Sequence, residues 1–291
     1  MLFFKLPGMI KEDNTLPKID IPDDFLIANE IDMGTLSLYT DYPCRIKAQV
    51  FIFCLGGELE AELNLVPCKF KAKDFATVLP DSIVQIKKVT DDLKIYVLLF
   101  SSQFMGAVNT LDVISDIVQP MREHPIVSLS DKMFEVFRDY FALVRRVTVE
   151  QLLPQTPVYY KNILYTISYV LKEVYGKQKW DELPVSRSRQ ILRHFERLVM
   201  LHYSKERSAS FYAGKIGITL QHLCNVVKEE TGETVTEIIN KYVILDAKAQ
   251  IKSSGASIQN IAYSLNFPNV SFFGKFFKKH VGMSPMQYRK K

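Results

Sequence analysis

The spacing of apolar residues changes from a period of two to a helical period partway along the chain. In ELEAELNL, residues 58–65, apolar side chains alternate with Glu and Asn, which predicts a half-buried β-strand. The predicted inner face holds Leu59, Ala61, Leu63 and Leu65. Residues 44–55 and 82–100 give further strand candidates, separated by Gly, Pro and Asp turn signals. Many short strands at such intervals predict an antiparallel barrel, and a jelly roll fits best.

Beyond residue 130 the apolar residues recur at steps of three and four, as in amphipathic helices. The first stripe comprises Met133, Phe137, Tyr140, Val144 and Val147. After the prolines Pro154 and Pro157, the second comprises Tyr160, Ile163, Ile167, Val170 and Val174. Two helices joined by a short proline loop predict a helical hairpin. The stripes either pack on each other and on the barrel or pair with a second copy of the chain.

Charge is distributed unevenly along the chain. Residues 1–125 carry 12 Lys and Arg against 18 Asp and Glu, whereas residues 187–291 carry 17 against 7, a net of +10. A basic domain of this kind typically binds a polyanion, most often nucleic acid; the alternative is a solvated basic surface with no partner. We therefore predict three parts: 1–125, 126–186 and 187–291, with the last boundary near residue 185, in the polar stretch around Trp180 and Pro184.

The basic part contains an internal repeat. Residues 211–232 are echoed by residues 260–282 at an offset of 49 and then 50 positions. Each copy reads as a short helix with a small residue (Ala213, Ala262), a turn residue that tolerates positive φ (Gly217, Asn266), and a longer helix. This is the pattern of a helix-turn-helix, and a long helix between the copies would set their separation.

The second longer helix, with Asn269 as its N-cap, separates aromatic from basic residues. A helical wheel at about 100° per residue gathers Phe272, Phe273, Phe276 and Phe277 into one broad stripe, predicted to anchor the helix. The opposite face carries Ser271, Gly274, Lys275 and Lys278. A DNA major groove would accept this face, with Gly274 allowing close approach; the alternative is a helix that shows its lysines to water.

The first longer helix, capped by Thr219, gives a parallel result. The wheel turns Leu223, Cys224, Val226 and Val227 inward. It turns Gln221, His222, Asn225 and Lys228 outward. Gln and Asn suit bidentate contacts to adenine, and their alternative is ordinary surface polarity.

From Ser257 to the end the chain resembles the C-terminal signature of the AraC/XylS family of bacterial transcription regulators. The residues that carry the resemblance are Ile258, Ile261, Ala262, Phe267, Asn269, Ser271, Phe273, Lys275, Phe277, Lys278, Gly282, Ser284, Pro285, Tyr288 and Arg289. The sequence departs from the pattern at Asn266, where glycine is usual, and at Lys275, where arginine is common, which would weaken bidentate reading of guanine.

The resemblance covers residues 187–291 and implies which side chains face bases. In the first copy these are Gln221, Cys224 and Asn225. In the second copy they are Ser271, Gly274 and Lys275. More loosely, residues 1–125 resemble the cupin-type sensor of such regulators, so the expected fold class is α+β.

The sequence argues against an enzyme. The first of its five histidines is His124, so the predicted barrel has no imidazole with which to hold a metal. There is no phosphate-binding loop, dinucleotide fingerprint or G-x-S-x-G motif. The four cysteines lack C-x-x-C spacing and are expected as reduced thiols. No membrane span, secretion signal, metal or cofactor is expected, and the protein is expected in the cytoplasm.

Together these features predict a sequence-specific DNA-binding transcription regulator, with activation as the expected mode. Its expected partners are double-stranded DNA, RNA polymerase, a small-molecule effector at the barrel, and a second copy through residues 130–175. In one alternative the barrel only dimerises or binds a protein. In another the chain is a small-molecule-binding protein whose basic tail contacts acidic surfaces rather than DNA.

Overall fold

The structure, a computed structural model, describes residues 18–29, 43–108, 111–177, 186–253 and 256–290. The chain divides into two compact units, whose described residues are 18–177 and 186–290. The first unit combines β-sheets with helices, and the second is helical, in keeping with the predicted α+β class. The expected boundary near residue 185, with Trp180 and Pro184, lies outside the described residues.

The first unit contains two five-stranded sheets. Its strands are β1 (Lys18–Ile19), β2 (Phe25–Asn29), β3 (Cys44–Ile46), β4 (Gln49–Gly56), β5 (Glu58–Leu63), β6 (Val66–Lys71), β7 (Asp74–Val78), β8 (Ile83–Val89), β9 (Lys94–Phe100) and β10 (Ile126–Ser128). One sheet has the order β1-β3-β8-β5-β6 and the other β10-β7-β4-β9-β2. Within the described chain these strands form two separate sheets rather than one closed barrel.

An apolar core lies between the two sheets. Val50, Val97 and Leu99 of the second sheet pack with Phe70, Leu59 and Val84 of the first. The period-two prediction holds for Leu59, Ala61 and Leu63 on β5 but is wrong for Leu65. Asn64 and Leu65 have positive φ, 51° and 70°, and form the turn into β6. The turn is fixed because Asn64 Oδ1 accepts from the Ile83 N–H at 2.8 Å.

Helices cover the other face of the second sheet. They are α1 (Ser102–Ala107), α2 (Leu111–Glu123), α3 (Asp131–Val149) and α4 (Pro157–Lys177). Phe137 of α3 packs against Phe75 with ring centroids 4.9 Å apart, and Phe141 against Phe53 at 5.4 Å. The predicted helical hairpin is thus α3 and α4, and the stripe on α3 packs on the sheet.

The second unit consists of α5 (Arg187–His202), α6 (Ala209–Ile216), α7 (Leu220–Thr231), α8 (Val235–Ser253), α9 (Ile258–Ser264), α10 (Val270–Val281) and α11 (Pro285–Lys290). The predicted connecting helix is α8, whose 19 residues extend about 28 Å. Within the described residues, no helix is long and apolar enough to span a membrane.

Candidate nucleic-acid interface

The first helix-turn-helix unit is formed by α6 and α7. Ala213 is buried where the two helices meet. Gly217 ends α6 with φ of 80°, a left-handed conformation that an L side chain would strain. Thr219 then caps α7, because its hydroxyl accepts from the His222 N–H at 3.2 Å.

The second unit, α9 and α10, repeats this arrangement with different residues. Ala262 is buried at the crossing, and Asn266 takes the positive-φ position at 55°. Asn269 caps α10 by accepting from the Phe272 N–H at 3.0 Å. Asn266 also donates from Nδ2 to the Lys205 carbonyl at 2.8 Å, a bond that glycine could not make.

On α7 the inner and outer faces divide as the wheel predicts, except at Cys224. Leu223, Val226 and Val227 are buried. Gln221, His222, Asn225 and Lys228 are exposed. Cys224 is half-buried rather than fully inward, which leaves part of its side chain on the face that the resemblance implies.

Two hydrogen bonds fix the orientation of polar side chains on α7. Gln221 Nε2 donates to Asn225 Oδ1 at 2.9 Å, which aligns the two side chains along the outer face. Lys228 Nζ donates to the Gly232 carbonyl at 2.6 Å. Because this lysine caps its own helix, its charge is held near the C-terminal end of α7.

The predicted four-phenylalanine anchor of α10 is only partly right. Phe273 and Phe277 are fully buried and Phe276 is half-buried, but Phe272 is 61% exposed. The stripe spans about 140° of the helix, and the core lies beneath the side of it that carries Phe273 and Phe277. Phe272 lies at the opposite edge of the stripe, away from this core, and therefore faces solvent.

The opposite face of α10 is as predicted in its exposure. Ser271, Lys275 and Lys278 are exposed, as is the capping residue Asn269, and α10 contains no acidic residue. A Cβ built on the half-buried Gly274 would meet no described atom within 4 Å. Packing within this unit therefore does not require glycine at position 274.

Arg207, which no sequence pattern indicates, stabilises the turn between α9 and α10. The Arg207 guanidinium lies 3.8 Å from the centre of the Phe267 ring, and its Nη2 donates to the Leu265 carbonyl. With the Asn266 bond to Lys205, the segment before α6 holds the turn between α9 and α10. The partners lie 58 and 61 positions apart, so no local pattern could have revealed them.

A buried polar chain crosses the same unit. Tyr203 donates from its hydroxyl to Asp246 Oδ2 at 2.7 Å, and Gln250 Nε2 donates to Asp246 Oδ1 at 2.8 Å. The Ser264 hydroxyl then donates to Gln250 Oε1 at 3.0 Å. Buried hydrogen-bonded groups are costly to separate, so this chain fixes α8 against both the end of α5 and α9.

The charge of the outer surfaces is not uniformly positive. On α7 the exposed Glu229 and Glu230 follow Lys228, and Glu230 pairs with Arg189 at 3.6 Å. The His280 ring packs at a tilt against Phe276 with centroids 4.6 Å apart, and desolvation together with Lys279 lowers the pKa of His280. The positive charge of α10 at neutral pH therefore comes from its lysines. No group of three or more metal-ligating side chains occurs within the described part of the chain.

Comparison with known proteins also indicates a helix-turn-helix domain at the C-terminal end of the chain. The family described as a helix-turn-helix domain matches residues 212–291. The HTH-type transcriptional activator RhaS of Escherichia coli SMS-3-5 is 22% identical over 175 residues, covering 48% of this chain and 62% of the relative. RhaS of Mannheimia succiniciproducens is 28% identical over 103 residues, covering 35% and 37%. The chain thus spans less than two thirds of these curated relatives.

Solved structures give weaker overall likeness. The C-terminal domain of AraT, a response regulator from Geobacillus stearothermophilus, is 25% identical, covering 36% of this chain and 88% of that one with a TM-score of 0.35. ToxT from Vibrio cholerae SCE256, bound to an unsaturated fatty acid, is 15% identical, covering 96% and 97% with a TM-score of 0.44. The sequence matches to the helix-turn-helix part are thus the more informative comparisons.

Proposed function

We propose that this chain, whose residues 212–291 match a helix-turn-helix domain family, is a regulator of the AraC/XylS type that binds double-stranded DNA sequence-specifically and regulates transcription. The observation that carries the proposal is the repetition of one capped helix-turn-helix geometry. In both copies, polar side chains are exposed on the longer helix and its apolar side chains are buried beneath. The net charge of +10 on residues 187–291 supplies the attraction for a polyanion.

The exposed side chains divide into two groups by chemistry. Gln221 and Asn225 on α7, with Ser271 and Lys275 on α10, can donate to base edges in the major groove. Cys224 and Gly274 are half-exposed and lie among these polar side chains. Their small size lets the helix backbone approach the DNA closely.

The remaining candidates suit the DNA backbone or the helix ends. Lys278 suits a phosphate, and His222, in the first turn of α7, suits a phosphate or a base edge. Asn269 is the N-cap of α10, and Lys228 caps the C-terminal end of α7. From these helix ends both side chains can contact the nearby DNA backbone.

Salt dependence of binding tests the proposal. If about six phosphates are neutralised, the logarithm of affinity for duplex DNA should fall with the logarithm of salt concentration with a slope near −5. A fluorescence-anisotropy titration of the full chain measures this slope. Absence of duplex binding at low salt would instead support the alternative of a small-molecule-binding protein with a basic tail.

For residues 1–125 we propose a cupin-like jelly roll that holds a small effector. Support comes from a cavity of about 160 Å³ between the two sheets. Side chains from both sheets line it, among them Leu59, Ala61, Ala76, Val97 and Leu99, and its lining contains no charged residue. An apolar cavity of about 150 Å³ can stay dry and bind a molecule of benzene size, so the effector we propose is small, uncharged and apolar.

A thermal-shift assay separates this proposal from a barrel that only dimerises or binds a protein. Toluene should raise the melting temperature of the full chain, whereas acetate and glucose should not. Ala76→Leu, which fills the cavity, should abolish the shift, and Ala142→Leu on the exposed face of α3 should preserve it. An equal shift in both variants would contradict binding in this cavity.

Residues 126–186 are proposed to link the two functions and to dimerise the protein. The outer face of α3 exposes Val136 and Leu143, at 52% and 57%, seven residues apart on one stripe. Leu143→Lys should then lower the mass measured by analytical ultracentrifugation from dimer to monomer. We further propose that the protein contacts RNA polymerase in the cytoplasm and thereby activates transcription. Transcription in vitro with purified polymerase tests both points.

A further inference from the structure

Phe272 is a large apolar side chain exposed at the start of α10. It is 61% exposed, while Phe273 beside it and Phe277 are fully buried. Because those two rings fill the core beneath the helix, Phe272 is not needed as its anchor. The exposed ring, in the first turn of the helix, is therefore available to contact a molecule outside the protein.

The internal repeat assigns Phe272 a counterpart. At the offset of 50 residues, Phe272 corresponds to His222 and Val270 to Leu220. His222 is exposed on the DNA-facing side of α7, and both Val270 and Leu220 are partly exposed, at 36% and 42%. The first turns of α7 and α10 therefore present these two positions outward in both copies, and Phe272 occupies one of them.

The position of Phe272 is fixed by its surroundings. The Asn269 cap holds the Phe272 N–H at 3.0 Å and so sets the first turn of the helix. Ser271 and Lys275, both exposed, lie on the adjoining face. In helix-turn-helix proteins the N-terminal residues of this helix contact base edges, so the ring would reach the groove beside these two side chains.

Among the four bases, thymine presents a methyl group in the major groove, and phenylalanine is one of the side chains that contacts it. We propose that Phe272 is a specificity-determining residue that packs against the 5-methyl group of a thymine in the second half-site. This inference rests on the proposed function, because it requires that α10 enters a major groove. It adds a sequence preference that the polar side chains of α10 do not supply.

The test removes the methyl group from DNA and the ring from the protein separately. A duplex is selected from a random pool with the full chain, and each thymine is replaced in turn by deoxyuridine, which lacks only the methyl. At one thymine the replacement should weaken binding by the native chain about fourfold, the effect of one buried carbon. Phe272→Ala should bind the unmodified duplex at least fourfold more weakly and show no further loss with deoxyuridine.

Tyr263→Ala is the matched control, because Tyr263 is a similarly exposed aromatic residue on α9 rather than on α10. It should keep the full methyl dependence. If every deoxyuridine substitution affects the native chain and Phe272→Ala equally, the inference is wrong while DNA binding stands. If no duplex sequence is selected at all, the proposed function fails and the inference fails with it.

Discussion

Gln221 and Asn225 illustrate how single residues on α7 prepare the surface. The amide of Gln221 donates to Asn225 across one helical turn at 2.9 Å. This bond orders both side chains before DNA arrives, so less conformational freedom is lost on binding. It also couples the two residues energetically, since removing either leaves the other without this partner.

Asn225→Ala should weaken binding to the selected duplex by about 1–3 kcal/mol and leave binding to random DNA unchanged. The double variant Gln221→Ala/Asn225→Ala should lose less than the sum of the single losses, because the two side chains are in contact. Binding titrations give all three values. Gln259→Ala, an exposed glutamine on α9, is the control; equal weakening on random DNA would reassign Asn225 to phosphate contact.

Cys224 offers a chemical probe of the same face. Burial raises the pKa of the Cys44 thiol to about 12 and that of Cys54 to about 11, and both side chains are buried. These thiols stay protonated and unreactive at pH 8. We expect iodoacetamide to alkylate the half-exposed Cys224 faster than either.

Saturating duplex DNA should then protect Cys224 from alkylation, as mass spectrometry of the labelled peptides would show. Cys224→Ser should abolish the DNA-sensitive signal. Labelling of Cys224 at an unchanged rate in the complex would place this face of α7 away from the DNA.

Between elements, the two turns show how one geometry is reached with different residues. Gly217 adopts positive φ without a side chain, whereas Asn266 adopts it and also bonds to Lys205. The asparagine that departs from the family pattern thus ties the second turn to the segment before α6. Arg207 adds to the same junction, because its guanidinium lies over the Phe267 ring and donates to the Leu265 carbonyl.

Asn266→Ala should lower the free energy of unfolding by about 1–3 kcal/mol, because it combines a lost hydrogen bond with a strained φ. Asn266→Gly should lower it less, since glycine accepts the conformation and loses only the bond. Urea denaturation of the full chain measures both. A larger loss for glycine than for alanine would show that the turn does not need positive φ.

The helices and turns were predictable where their signals are local. Caps at Thr219 and Asn269 and the period of buried residues located α7 and α10 from sequence alone. The alternation predicts Leu65 wrongly because it continues into a turn whose conformation depends on Asn64 bonding to Ile83. The helical wheel predicts Phe272 wrongly because it shows direction but not how far the core extends. The role of Arg207 is not predictable because its partners are distant in sequence.

In the second unit taken whole, reading of two grooves depends on α8, which separates the two recognition helices. Its length of about 28 Å approaches the repeat of about 34 Å between successive major grooves on one face of DNA. Asp246 and Gln250 bond it to Tyr203 and Ser264, within a buried polar chain that resists rearrangement. We therefore expect two half-sites at a fixed separation.

The most direct test scans a selected operator one base pair at a time against the native chain, Asn225→Ala and Lys275→Ala. If the two helices read neighbouring grooves, Asn225→Ala loses discrimination in one half-site, and Lys275→Ala in another centred about 10 base pairs away. Loss of discrimination at the same base pairs in both variants, or equal weakening on every sequence, would contradict reading by two helices in neighbouring grooves.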